Sequence, residues 1–144
     1  MATVSNLLDS KGHNVLTVKP DQHIHEALDQ MEKISAGTSV VMDAGEVVGI
    51  ISERDVIRKV VLQNKSIDEV NVGDIMSTTL TTVTPDTSLD DCMKLMTEKR
   101  IRHLPVLREK TLDGIVSIGD VVKYLIIEKD FKIKNLETYI SGVM

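Results

Sequence analysis

A chain of 144 residues, 42% hydrophobic but only 2% aromatic, suits one compact domain whose core consists of Val, Ile, Leu and Met. Its net charge of −5 argues against non-specific nucleic-acid binding, which needs an excess of Lys and Arg. Cys92 is the only cysteine, which excludes an internal disulfide and a cysteine-based metal cluster. The sequence shows no secretion signal and no apolar run near the roughly 20 residues that span a bilayer, so we expect a cytoplasmic protein without membrane contact.

The first half of the chain predicts the order strand, helix, strand, strand, helix. The β-branched run before Pro20 indicates a strand, and apolar residues at helical spacing follow it. The segments are a strand at Val15–Val18, a helix with Ile24, Ala27, Leu28, Met31 and Ile34, strands at Ser39–Asp43 and Val47–Ile51 around an Ala44–Gly45 turn, and a helix with Val56, Ile57, Val60 and Val61.

The second half repeats this order at a constant offset of 65 residues. The clearest matches are Pro20–Asp21 with Pro85–Asp86, Gly49–Ile50 with Gly114–Ile115, Ser52 with Ser117, and Asp55 with Asp120. Its segments are a helix with Leu89, Cys92, Met93 and Met96, strands at His103–Leu107 and Leu112–Val116 around a turn near Arg108–Thr111, and a helix with Val121, Val122, Leu125 and Ile126. Such an offset without gaps indicates two copies of one structural unit.

We therefore expect an α/β (α+β) fold of two β-α-β-β-α repeats, comprising residues 1–66 and 67–128, with a helical tail at residues 129–144. The polar segment Gln63–Gly73 is the linker, and the tail carries Leu136, Tyr139 and Ile140 at helical spacing. One repeat is too small to bury both of its helices and its sheet. Two repeats packed sheet to sheet about a pseudo-twofold axis would create two related clefts, the usual kind of place for a ligand.

The pattern resembles the tandem cystathionine-β-synthase (CBS) domain pair, or Bateman module, and the ending Phe131–Gly142 resembles that of small standalone bacterial CBS proteins. The resemblance covers about residues 1–128. The motifs are Val18–Asp21, Val83–Asp86, Gly49–Asp55, Arg102–Val106 and Gly114–Asp120. The resemblance implies a homodimer that senses an adenosine ligand, of which AMP, ADP, ATP, NAD(H) and S-adenosylmethionine are the classes known for the family.

Two Ser-x-x-Asp motifs, Ser52 to Asp55 and Ser117 to Asp120, stand where a strand passes into a helix. The simpler interpretation is a capping box, in which each side chain satisfies free N–H groups of the first helical turn. The functional interpretation uses the same place, because a carboxylate accepts two ribose hydroxyls and a helix start attracts phosphate. The resemblance favours the second interpretation, since this Asp holds the ribose in the family.

The resemblance also assigns residues to each cleft. Cleft one would combine Ser52, Arg54 and Asp55 with Thr84, Ile101, Arg102 and His103. Cleft two would combine Ser117, Gly119 and Asp120 with Lys19, Ala36, Gly37 and Thr38. Adenine would lie against Ile50 or Ile115. Guanidinium groups suit phosphate, so cleft one, with Arg54 and Arg102, should bind AMP-like ligands more tightly than cleft two, where Gly119 replaces Arg54.

Three functions remain open from the sequence. The first is a regulatory sensor that binds an adenine nucleotide between the repeats and transmits energy or redox state to an unidentified protein. The second is a ligand-independent protein–protein adaptor in which both Ser-x-x-Asp motifs are only caps. The third, an enzyme, is disfavoured because no nucleophile with a poised base is recognisable. We expect no metal site, because His23 and His25 stand two residues apart and would not share a helix face.

Overall fold

The computed structural model describes residues 1–142 and confirms the α+β fold with two repeats. The elements are, in chain order, α1 Val4–Lys11, β1 Thr17–Val18, α2 Ile24–Lys33, β2 Thr38–Asp43, β3 Glu46–Ser52, α3 Glu53–Val56 continuing as a π-helical turn Ile57–Val61, a 3₁₀ turn Ile67–Glu69, α4 Val72–Ile75, α5 Leu89–Lys99, β4 His103–Arg108, β5 Thr111–Ser117 and α6 Ile118–Gly142. No helix among the described residues has the length and apolar composition of a bilayer-spanning segment.

The hairpins of the two sheets match residue for residue, which confirms the repeat. β2 pairs antiparallel with β3, and β4 pairs antiparallel with β5, in the same register and with a bulge at the same place. Both hairpins close through two residues with positive φ, Ala44–Gly45 and Glu109–Lys110, as type I′ turns require. β1 adds a parallel strand to β2, whereas its counterpart in the second repeat is reduced to a single parallel bridge between Val83 and Val106.

The short helices that precede the repeats are exchanged between them. α1 contributes Val4, Leu7 and Leu8 to the core of the second repeat, and α4 contributes Val72 and Ile75 to the core of the first. α1 precedes the first repeat in the chain but packs on the second, and α4 precedes the second repeat but packs on the first. Each core therefore contains residues from both sides of the predicted boundary between residues 66 and 67.

The backbone hydrogen bonds that hold the two exchanged helices correspond one to one. The bonds at α4 are Val72 N to Gln22 O at 2.8 Å, Gly73 N to Pro20 O at 2.8 Å and Ile24 N to Val70 O at 3.1 Å. The bonds at α1 are Val4 N to Thr87 O at 2.8 Å, Ser5 N to Pro85 O at 2.9 Å and Leu89 N to Ala2 O at 3.0 Å. The pseudo-twofold symmetry therefore includes the leading helices as well as the sheets.

The predicted helical tail is the continuation of α6, which runs without a break from the second repeat through the described part of the tail. Between Gly119 and Gly142 the segment contains no Gly or Pro and is rich in Lys, Leu, Ile and Glu, which favour a continuous helix. The helix thus crosses the predicted boundary at residues 128 and 129. The last residues of the predicted tail, Val143 and Met144, lie outside the described residues.

The helix that follows β3 buries fewer residues than its spacing predicts. Val56 and Val60 are buried, whereas Ile57 and Val61 are exposed.

The prediction that Cys92 belongs to the core is confirmed. Burial, assisted by the charge of Asp91, raises the pKa of the Cys92 thiol to about 11, so the thiol stays protonated at neutral pH.

The chain that follows α4 packs closely against the sheet at Gly49. A Cβ at Gly49 would lie 2.6 Å from Met76 Sδ and 2.9 Å from the backbone oxygen of Ser77. We expect Gly49→Ala to lower the free energy of unfolding by about 1–3 kcal/mol, as overpacking does, in urea titrations. Gly119→Ala is the control, because the nearest atom to its Cβ is 3.8 Å away; equal stability of the two variants would contradict the close packing.

Candidate nucleotide cleft between the repeats

A cleft of about 480 Å³ lies between the repeats, a volume within the range of small-molecule sites. Both repeats and the segment after α4 line it. Its lining residues are Gly37, Thr38, Ile50, Ser52, Arg54, Asp55, Arg58, Ser77, Thr79, Leu80, Thr81, Arg100, Ile101, Arg102, His103 and Pro105. Another depression, of about 620 Å³, lies along the linker from Asn64 to Asp74, but its lining consists of linker residues and Asp74 of α4 and includes none of the predicted site residues.

Asp55 stands at the edge of this cleft with its two carboxylate oxygens in different situations. Oδ2 accepts the backbone N–H of Ser52 at 2.9 Å and its hydroxyl at 3.1 Å, while the Asp55 N–H donates to Ser52 Oγ at 3.2 Å. Oδ1 has a loose ion pair with Lys59 at 3.7 Å. The capping box is therefore present as the simpler interpretation predicts, yet it uses mainly one of the two oxygens.

Four arginines give the cleft a positive lining in a chain whose net charge is −5: Arg54, Arg58, Arg100 and Arg102. Arg54 and Arg58 lie one helical turn apart after β3, and Arg100 and Arg102 precede β4. None of the four forms an ion pair with a carboxylate of the described residues. Asp55 is the single acidic residue in the described lining. Such a set of guanidinium groups suits a phosphate, which would relieve their mutual repulsion.

His103 lies where the two repeats meet. Its Nδ1 is 3.2 Å from the hydroxyl oxygen of Thr38, the residue at the corresponding position of the first repeat. Burial lowers the pKa of His103 below its ordinary value of 6.5; Asp120 opposes this, and the positive charges of Lys11 and Arg102 lower the pKa further. The imidazole therefore favours its neutral form at the centre of the molecule.

Most of the residues predicted for cleft one come together. Ser52, Arg54, Asp55, Ile101, Arg102 and His103 line one cavity, with Ile50 beside them. Thr84 lies outside this cavity, because it belongs to the turn before α5, where its N–H donates to Thr87 Oγ1 at 3.1 Å. Gly37 and Thr38, which were assigned to cleft two, line cleft one, because the loops before β2 and β4 meet at the pseudo-twofold axis.

The other residues predicted for cleft two do not line this cavity. Lys19 is exposed and its N–H donates to Gln22 Oε1 at 2.6 Å, while the N–H of Ala36 donates to Met31 O at 2.9 Å. Ser117 and Asp120 form the same capping pair as in the first repeat, with Gly119 exposed beside them. A lysine missed by the sequence reasoning contacts this pair: Lys11 Nζ lies 2.5 Å from Asp120 Oδ2 and 2.9 Å from Ile115 O.

Several lining residues of cleft one were also missed. They are Arg58, Ser77, Thr79, Leu80, Thr81, Arg100 and Pro105. Arg58 could have been found, because it follows Arg54 by one helical turn. Ser77 could not, because its place depends on the exchange of α4, which lets Ser77 pair with Ile50 through two backbone hydrogen bonds of 2.8 and 3.0 Å.

The CBS domain model matches the chain twice, at residues 5–62 and 72–127. The chain belongs to the CBS-domain family. A CBS domain pair is generally a regulatory module that binds adenosine ligands. Among the described residues of this CBS pair, no group of three or more His, Cys, Asp or Glu side chains is placed to hold a metal ion.

Relatives and solved structures agree with the family. The chain is 40% identical to the mitochondrial CBS domain-containing protein CBSX3 of Arabidopsis thaliana, over 97% of this chain and 72% of that protein. It is 33% identical to the CBS domain-containing protein YhcV of Bacillus subtilis, over 82% and 84% respectively. The crystal structure of the CBS-domain protein ATU1752 from Agrobacterium tumefaciens superposes with a TM-score of 0.81 at 40% identity, over 85% of this chain and 98% of that one.

The lowered pKa of His103 predicts a pH-dependent stability. The unfolded chain takes up a proton near pH 6.5, whereas the folded protein takes it up only at a lower pH. The free energy of unfolding should therefore fall as the pH drops below about 6.5, by linkage. A His103→Asn variant should show a smaller decline between pH 7 and 5 in urea titrations. An NMR titration midpoint of His103 at or above 6.5 would contradict this explanation.

Proposed function

We propose that this CBS pair is a regulatory sensor, not an enzyme, and that it binds an adenine nucleotide (AMP, ADP, ATP or NAD(H)) in cleft one. The observation that carries the proposal is the single carboxylate, Asp55, at the edge of a cleft with four arginines that lack ion pairs among the described residues. Asp55 would accept the ribose hydroxyls, and the arginines would bind the phosphate. Adenine would lie against the aliphatic side chains of Ile50, Leu80 and Ile101.

Cleft one is the better candidate for phosphate because its cations have few counterparts in cleft two. The positions that correspond to Arg54, Arg100 and Arg102 in the other repeat are Gly119, Ser35 and Gly37. Only Arg58 has a basic counterpart, Lys123. A phosphate would therefore meet four guanidinium groups in one cleft and a single ammonium group among the matching positions of the other.

The competing function is a ligand-independent adaptor, which the capping role of Asp55 Oδ2 favours. The two functions differ in what the carboxylate does. In the adaptor it only stabilises the helix start, whereas in the sensor it also contributes affinity. A variant that loses a helix cap without changing cleft one distinguishes the two functions. Asp74 offers this variant, because Asp74 Oδ2 accepts the N–H of Asn71 at 2.9 Å in an equivalent capping box outside cleft one.

We expect AMP, ADP, ATP or NAD(H) to bind in isothermal titration calorimetry. Asp55→Ala should weaken the affinity at least tenfold, because it removes the ribose acceptor, and should cost about 1 kcal/mol of stability as a lost cap. Asp74→Ala should cost similar stability and leave the affinity unchanged. Absence of heat with all four nucleotides, or equal affinities of the two variants, would favour the adaptor.

A symmetric dimer is the second part of the proposal. Apolar side chains after β3 and in α6 are 45–70% exposed and correspond pairwise between the repeats. The pairs are Ile57 with Val122, Val61 with Ile126 and Leu62 with Ile127. A second copy of the chain could cover both patches at once, since a twofold interface is self-complementary. Arg58 of cleft one stands next to Ile57, so a bound phosphate would act directly on the interface helix.

Ligand binding would regulate through this interface. A nucleotide can shift the dimer packing only by its difference in affinity between two arrangements. Arg54 and Arg58 lie on the helix segment that carries the exposed apolar patch, so a movement of this segment would change their contacts with a phosphate and hence the affinity. An unidentified protein that contacts the dimer would then respond to the energy or redox state that the nucleotide reports.

Leu62→Glu should convert the dimer to a monomer, because it places a charge in the apolar patch. Light scattering after size-exclusion chromatography measures the mass. Ile34→Glu is the matched control, because Ile34 is similarly exposed at the end of α2 but belongs to neither patch. A monomeric wild type, or an unchanged mass of Leu62→Glu, would contradict the proposed interface.

A further inference from the structure

Lys11 ends α1 and reaches into the region of cleft two. Its ammonium group donates to Asp120 Oδ2 at 2.5 Å and to the carbonyl oxygen of Ile115 at 2.9 Å. Asp120 Oδ2 also accepts the N–H of Ser117 at 3.1 Å. The carboxylate that corresponds to Asp55 is therefore already paired with a cation of the same chain, at a side chain that is 29% exposed.

The pseudo-twofold symmetry shows what Lys11 replaces. α1 stays helical to Lys11, whereas its counterpart α4 ends at Ile75 and the chain continues in an extended conformation. In cleft one the N–H of Ser77 therefore donates to the carbonyl oxygen of Ile50 at 2.8 Å, and in cleft two Lys11 Nζ donates to the carbonyl oxygen of Ile115, the counterpart of Ile50, at 2.9 Å. In cleft one the lysine that faces Asp55 is Lys59, in a loose ion pair at 3.7 Å, whereas in cleft two Lys11 donates a hydrogen bond of 2.5 Å to Asp120.

We propose that Lys11 is an internal cation that occupies the ribose position of cleft two, so that each chain binds one adenosine ligand instead of two. The proposal rests on the proposed function, because Asp120 is assigned its ribose role by its correspondence to Asp55. A ribose hydroxyl would have to displace the ammonium, and its own hydrogen bond to the carboxylate lacks the attraction between two opposite charges.

The environment of Asp120 agrees with this pairing. Burial raises the pKa of the Asp120 carboxyl, but the hydrogen bonds from Lys11 and from Ser117 outweigh burial and hold the pKa below its ordinary value. The carboxylate therefore stays ionised and paired at neutral pH. Because Gly119, Ser35 and Gly37 replace three of the four arginines, the ligand that cleft two would accept without Lys11 is a nucleoside, which carries no phosphate.

The experiment counts adenosine molecules bound per chain by equilibrium dialysis. Wild type should bind one, in cleft one, and Lys11→Ala should bind two. Lys33→Ala is the matched control, because Lys33 has an exposed ion pair with Asp29 at 3.4 Å and is not among the residues that line cleft one. This variant should bind one adenosine. The double variant Lys11→Ala, Asp120→Ala should return to one.

The outcomes separate this inference from the proposed function. If wild type and Lys11→Ala each bind one adenosine, and thermal melts show that both are folded, the role of Lys11 is overturned and the proposed function of cleft one is unaffected. No adenosine in wild type but one in Lys11→Ala supports the role of Lys11, and the nucleotide titration then decides the proposed function of cleft one, because adenosine lacks the phosphate that the arginines would bind. Two adenosine molecules bound per wild-type chain would show that Lys11 does not block cleft two, and would overturn the inference.

Discussion

The exchange of α1 and α4 between the repeats is the constraint on which the rest of the structure depends. Each helix fills the core of the repeat that does not follow it, held by three corresponding backbone hydrogen bonds. Neither core is complete without the other half of the chain. The exchange therefore keeps the repeats together. It also places Ser77–Thr81, which follow α4, in the lining of cleft one, and Lys11, the last residue of α1, beside Asp120.

The same exchange makes the clefts chemically unequal, although the sheets that carry them correspond residue by residue. Short polar side chains follow α4 and leave cleft one open around Asp55, with arginines on both sides. A lysine ends α1 and pairs with Asp120. A few side chains outside the duplicated sheet thus give the two Ser-x-x-Asp motifs different charged neighbours, although the sheets correspond.

His103 and the exposed helix surfaces connect this asymmetry to the whole molecule. His103 lines cleft one and contacts Thr38 across the pseudo-twofold axis. The charges of Lys11 and Asp120, on the side of cleft two, shift the pKa of His103. Arg58 joins cleft one to the apolar patch that begins at Ile57. These contacts provide direct physical paths by which an anion in cleft one would affect the centre of the module and the surface available to a second copy.

The sequence by itself determined the duplicated unit and the strands and helices within it, because the repeat offset and the apolar periodicity can be read from the order of the residues. Its resemblance to the CBS pair added seven of the sixteen residues that line cleft one. Only the tertiary structure decided the exchange of the leading helices, the unbroken α6, the absence of Thr84 from the described lining of cleft one and the pairing of Lys11 with Asp120. These features depend on contacts between segments far apart in the chain. Lys11 and Asp120 are 109 residues apart, and no local pattern records which distant side chain reaches a given carboxylate.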